Sequence, residues 1–199
     1  WLYLRYTAPV YNISASVIIK DNDKNSKSNT GIVDLEDLGF YSSINNFDNE
    51  VEILHSRTLI RKVVEELDLY INYAAEGSFH NIELYKSSPI KVWITPEEAQ
   101  KLSMPAYLNL SIQPGNKLNV KVSIGEQEYI KQFDKLPALL TTPSGTFSFT
   151  PKDSIDIKSE QKIIVTVSSP YNVANDYRKA LNIEPTSKST TIAQISVKS

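Results

Sequence analysis

The chain has 199 residues, 22% of them charged and 41% hydrophobic, which suits one folded domain or two small ones and is too apolar for disorder. Its net charge of −2, with lysines scattered among acids, argues against an electrostatic nucleic-acid surface. Cysteine is absent, which excludes disulfides, thiol catalysis and cysteine-built zinc sites, and two histidines are too few for most histidine-based metal sites.

In chain order, Trp1-Leu2-Tyr3-Leu4-Arg5-Tyr6 lacks the basic start and apolar length of a signal peptide. Trp, Tyr and Arg together suit the point where a membrane helix leaves the bilayer, and suit a first strand or irregular start equally well. Residues 1–8 are read as such a stub. Tyr11 to Lys20 is β-branched and alternating, and predicts a strand. Asp21 to Thr30 is polar and aperiodic, so it reads as an exposed loop. It starts like a calcium loop but lacks that motif's glycine and distant glutamate. Ile32, Val33, Leu35, Leu38 and Phe40 suggest a short helix ending near Gly39.

Asn49 to Leu69 is the longest segment with one clear period. Ile53, Leu54, Ile60, Val63, Val64 and Leu67 recur at spacings of three and four and predict a helix of about five turns. Asn49 followed by Glu52 reads as its capping box. The opposite face carries Glu52, His55, Arg61, Lys62, Glu65 and Glu66. Arg57, Arg61 and Lys62 form a basic strip suited to solvent or to a charge-complementary neighbouring subunit.

From Ser88 onward the pattern changes to short strands and turns. Ile90 to Ile94 is a strand, and Thr95-Pro96-Glu97-Glu98 opens a helical turn. Leu108, Leu110 and Ile112 alternate with polar residues, as do Leu118, Val120, Val122 and Ile124. Pro114-Gly115-Asn116-Lys117 between them marks the clearest hairpin. Tyr129 to Phe133 extends the meander, and Phe147 and Phe149 mark a further strand. Residues 88–156 therefore read as an inserted antiparallel β subdomain. Lys162 to Ser168 then predicts a buried strand, Ser169-Pro170 a helix start, and Thr190 to Lys198 a final strand. The expected architecture is α+β. A mixed sheet of Tyr11–Lys20, Lys162–Ser168 and Thr190–Lys198 is covered by helices on one face, in a base domain of residues 1–87 and 157–199.

The sequence carries no nucleophile elbow, phosphate-cradling glycine loop, His-Glu-x-x-His or dinucleotide fingerprint. His55 and His80 read as surface histidines without an orienting partner. The acidic pairs Glu65-Glu66 and Glu97-Glu98, and the Asp34, Glu36, Asp37 group, read as solvation rather than as a hydrolase's carboxylates. Neither a catalytic residue nor a cofactor is expected. Eleven tyrosines and two tryptophans raise a second reading, a carbohydrate-binding module presenting Trp93, Tyr107 and Tyr129 to sugar rings.

Three segments carry a family resemblance. Tyr11 to Ile19 resembles the strand that follows the first membrane helix in polysaccharide co-polymerases, the Wzz-type chain-length determinants with their tyrosine-autokinase branch. Asn49 to Leu69 is similar to that family's next helix, through Glu50, Glu52, Ile53, Leu54, Ser56, Arg57, Leu59, Val63 and Leu67. Thr190 to Ser196 is similar to the strand before the family's long helix. The resemblance covers the two ends of the chain and leaves the β insertion unmatched. It implies a non-enzymatic structural and regulatory domain on the periplasmic side of the bacterial inner membrane, held by flanking spans outside this chain. It further implies ring-shaped homo-oligomers and partnership with the polymerase and export machinery of O-antigen, capsule or exopolysaccharide, or with the polysaccharide itself. In the autokinase branch a cytoplasmic kinase domain follows; this chain has no kinase motif. Arg57, Arg61 and Lys62 are then the expected subunit contacts.

Overall fold

Alternating apolar residues govern most of the architecture, because a strand points successive side chains to opposite faces. The computed structural model describes residues 12–19, 47–76, 82–84, 87–152, 159–187 and 192–198. The Trp1–Tyr6 stub, the 21–30 loop, the 32–40 helix and His80 lie outside the described residues. The chain forms two compact units, Trp1–Ile60 with Asn175–Ser199, and Arg61–Ala174. All strand pairings among the described residues are antiparallel. Helices and antiparallel strands together make the fold a mixed one, with strands predominating.

The first unit is built on a three-stranded sheet in which β12 (Ile192–Lys198) lies between β1 (Asn12–Ile18) and β11 (Leu181–Pro185). Its register sorts the side chains by polarity. Ile13, Ala15 and Val17 align with Val197, Ile195 and Ala193, and these with Leu181, Ile183 and Pro185. That face is wholly apolar. The reverse face carries Ser14, Ser16, Gln194, Ser196, Asn182 and Glu184, and ends on the pair Ile18 and Ile192. Ala193 and Ile183 are buried, whereas Ile13 at the β1 end is 72% exposed.

The second unit is a β-sandwich. Its larger sheet runs β3 (Ile82–Glu83), β2 (Ile71–Ala75), β10 (Gln161–Val167), β5 (Ala106–Gln113), β6 (Lys117–Ile124), β7 (Gln127–Phe133). Its smaller sheet runs β4 (Ile90–Trp93), β9 (Gly145–Pro151), β8 (Ala138–Thr142). Leu108, Leu110, Ile112, Leu118, Val120, Val122, Ile163 and Val165 of the larger sheet, and Ile90, Val92, Phe147 and Phe149 of the smaller, are buried. Each such side chain stabilises the fold by about 1.5–3 kcal/mol. The expected hairpin is β5–β6. Its loop places Gly115 at φ 80° and Asn116 at φ 61°, a left-handed conformation that these two residue types adopt most readily.

Two expectations are corrected here. Lys162–Ser168 does not join the strands at the chain ends: β10 pairs with β2 and β5, in the sandwich. The boundaries 88 and 156 consequently fall inside the second unit, because β2 and β10 supply two of its central strands.

The exposed edge of β4 is closed by hydroxyls rather than by another strand. Ser88 Oγ serves both backbone groups of Ile90, donating to its carbonyl at 2.7 Å and accepting from its N–H at 3.3 Å. Tyr73 Oη does the same at Val92, donating at 3.0 Å and accepting at 2.9 Å. Tyr70 Oη donates to the Ile94 carbonyl at 2.9 Å. Ile90, Val92 and Ile94 alternate along the strand, so their backbone groups point one way, and unpaired they would each carry a desolvation cost. Burial pushes the Tyr73 hydroxyl up to about 12. Tyr70 is pushed higher still, first by burial and then by the charges of Asp68 and Glu65.

Thr95 caps α2 (Pro96–Gln100): its Oγ1 accepts from the Glu98 N–H at 3.2 Å and donates to Glu98 Oε2 at 3.0 Å. Glu98 Oε1 also accepts from the Thr146 N–H at 3.2 Å, which fastens the helix to the β8–β9 hairpin.

Candidate functional site

The predicted five-turn helix is broken. Residues 47–54 are helical, His55 turns, and α1 begins at Arg57 and runs to Glu66. Asn49 lies inside helical backbone and so is not the cap. That role falls to Ser56, whose Oγ accepts from the Leu59 N–H at 3.3 Å while its carbonyl accepts from Ile60 at 3.1 Å. A serine hydroxyl competes for backbone donors, which makes serine a better cap than mid-helix residue. At the other end Asp68 takes φ 54°, the Asp68 N–H bonds the Glu65 carbonyl, and the Leu69 N–H bonds the Val64 carbonyl. This is a Schellman stop with aspartate in the place usually held by glycine.

The break matters because it sets His55 and Arg57 at the rim of a cleft of about 520 Å³. The other wall is α3 (Pro170–Ala180), which contributes Asn175, Arg178 and Lys179. Those three are spaced three and four apart and therefore share one face. Among the described residues its lining includes no carboxylate. Lys179 Nζ lies 3.5 Å from Asp176, in a pair exposed at 80% and 77%.

The expected interface residues thus part company. Arg57 lines the cleft; Arg61 is held by Glu65 at 3.0 Å, one turn on; Lys62 is exposed and does not line it. The expected sugar contacts do not gather either. Tyr107 stands on the outer face of the larger sheet, between Thr166 and Ser123, and is 50% exposed. Trp93, opposite Ser148, stands on the outer face of the smaller sheet, the other side of the sandwich. Tyr129 is opposite Val122 in a core-facing row, its hydroxyl donating to Gln127 Oε1 at 2.8 Å. No single saccharide meets all three.

The outer face of the larger sheet also carries a shallow groove of about 380 Å³. Asn109, Ser111, Asn119, Lys121, Lys162 and Ile130 line it, with Glu76 3.7 Å from Lys162. Lys121 is engaged by Glu128 at 2.8 Å. These charges are largely paired, so the groove has weak electrostatic character.

Sequence reading missed Asn175, Arg178 and Lys179 and passed over His55. The signal was present in α3, where Asn175, Arg178 and Lys179 recur at the helical spacings of three and four. Among the described residues no group of acids and histidines is arranged to hold a metal, and no helix is long and apolar enough to cross a membrane. Compared with known proteins, the chain matches no family model and no curated sequence.

Proposed function

We propose that this chain is the periplasmic domain of an inner-membrane polysaccharide co-polymerase, a non-enzymatic module that governs the length or export of a surface polysaccharide. The observation that carries the reading is the pairing of β1 with β12, which sets Asn12 opposite Lys198. Residues paired this way have Cα atoms about 5 Å apart. The chain therefore enters β1 and leaves β12 at the same end of the sheet, an arrangement that suits two neighbouring membrane spans. The motif resemblance of Tyr11–Ile19, Asn49–Leu69 and Thr190–Ser196 gives the same reading its family.

On this reading helices cover the part of the apolar face formed by β12 and β11, where Ala193 and Ile183 are buried. Copies of the domain stand side by side in a ring, with Arg57, Arg61 and Lys62 toward the neighbouring subunit. The test is the mass of the full-length protein in detergent, measured by light scattering. Changing Arg57 and Arg61 together to Glu reverses two charges on one face of α1 and is expected to shift the assembly toward smaller species. An unchanged ring mass, with helix content preserved, contradicts the assignment of that face to the interface.

A further inference from the structure

The groove on the outer face of the larger sheet lies within the second unit, and its course sets the kind of ligand it fits. Among the described residues its lining runs from Glu76, which follows β2, through β10, β5 and β6 to Ile130 on β7. That course crosses four inter-strand spacings, a span of about 19 Å. A volume of about 380 Å³ drawn out over this length leaves the width of a single extended chain.

β10, β5 and β6 each have a partner strand on both sides, so their N–H and carbonyl groups are engaged in the ladders. A peptide that binds by strand addition needs an open edge and runs along the strands, whereas this groove crosses them. Recognition here falls to side chains.

Those side chains are charge-matched at the margins and neutral at the centre. Lys162 lies 3.7 Å from Glu76 and Lys121 lies 2.8 Å from Glu128, so each lysine brings its own counter-charge. Between them stand Asn109 on β5 and Asn119 on β6, diagonal neighbours across the β5–β6 pair. A side-chain amide carries both a donor and an acceptor, and so matches hydroxyl groups, which do both. Ile164, opposite Asn109, and Ile130, opposite Lys121 and 76% exposed, set aliphatic surface beside the amides. Tyr107, two residues before Asn109 on the same face and half exposed, adds a ring about 7 Å along β5. Amides interleaved with aliphatic and aromatic surface suit a ligand whose rings carry hydroxyls at the rim and C–H groups on the faces.

We propose that this groove binds a neutral oligosaccharide laid across the strands from β10 to β7. The Asn109 and Asn119 amides bond its hydroxyls, and Tyr107, Ile130 and Ile164 meet its C–H faces. The inference rests on the groove alone and not on the membrane placement proposed above.

Amide NMR titration of the full 199-residue chain tests it. The neutral probes are maltohexaose, laminarihexaose and mannohexaose, with their disaccharides as length controls and hexagalacturonate as an anionic comparison. Saturable shifts are expected at Asn109, Asn119 and Lys121 with at least one neutral hexasaccharide, bound about fivefold tighter than its disaccharide. N109A/N119A should weaken that binding about tenfold or more and Y107A about threefold, while L139S, on the outer face of the smaller sheet, leaves it unchanged. No saturable shift with any neutral hexasaccharide up to about 10 mM overturns the proposal. So does hexagalacturonate bound tighter than every neutral probe, or a disaccharide bound as tightly as its hexasaccharide. Full affinity in N109A/N119A with the remaining spectrum intact also overturns it; if that double variant misfolds, full affinity in Y107A does the same.

Discussion

Tyr73 and Val92 exchange two hydrogen bonds through a single hydroxyl, which accepts from the Val92 N–H and donates to the Val92 carbonyl. One side chain of the larger sheet thereby takes the part of a neighbouring strand for the smaller one. An unpaired edge strand is a template for pairing with other chains, and this edge is closed by Ser88, Tyr73 and Tyr70 in turn.

Replacing Tyr73 with Phe keeps the ring and removes both bonds. Val92 is buried, so its N–H and carbonyl would be left unsatisfied, at a cost of about 1–3 kcal/mol. Tyr70→Phe frees one carbonyl and should cost less. Urea unfolding of the two variants gives the comparison; equal stabilities for Tyr73→Phe and the parent would refute the role assigned to the hydroxyl.

The same tyrosines set an alkaline limit. In the unfolded chain they ionise near their ordinary value of 10, whereas folded Tyr73 holds its proton to about 12 and Tyr70 beyond that. Between those values the unfolded state has released protons that the folded state keeps, so rising pH favours unfolding. Their contribution is complete below about pH 10 and declines above it, by up to about 1.4 kcal/mol per pH unit for each tyrosine. Denaturation midpoints measured from pH 9 to 12 should fall, and fall less steeply in Tyr73→Phe.

Gly145 and Gly115 separate two costs of adding a methyl group. Both have positive φ, 147° and 80°, but a Cβ on Gly145 would lie 2.9 Å from Ile94 Cδ1 and 3.1 Å from Glu98 Cβ, while one on Gly115 meets nothing within 4 Å. Gly115→Ala therefore bears backbone strain alone, about 1 kcal/mol. Gly145→Ala adds overpacking and displaces Glu98 from the Thr146 N–H, for about 2–4 kcal/mol. Thermal melts of the pair should rank them in that order.

These positions also mark what a sequence can disclose. The β5–β6 hairpin is legible because alternation and turn chemistry agree at Pro114-Gly115-Asn116. The capped turn at Thr95–Glu98 is legible for the same reason. The break at Ser56 is not, since serine fits the small position of an unbroken stripe and only its hydrogen bonds reveal the cap. Alternation identifies β10 as a strand but says nothing of its neighbours, so its place between β2 and β5 rather than beside the chain ends is visible only in the fold. β2 and β8 escape because Ile71–Ala75 and Ala138–Thr142 are short and weakly patterned. The basic cleft escapes for a stronger reason: Arg57 and Arg178 are distant in the chain, and only tertiary structure brings them to one concavity.

The central claim is that the paired strands β1 and β12 hang the domain from two membrane spans. It is tested most directly by reading the gene on both sides of this segment. The account predicts an apolar run of about 20 residues shortly before Trp1 and a second one downstream of Ser199. A reading frame without those two runs would contradict it.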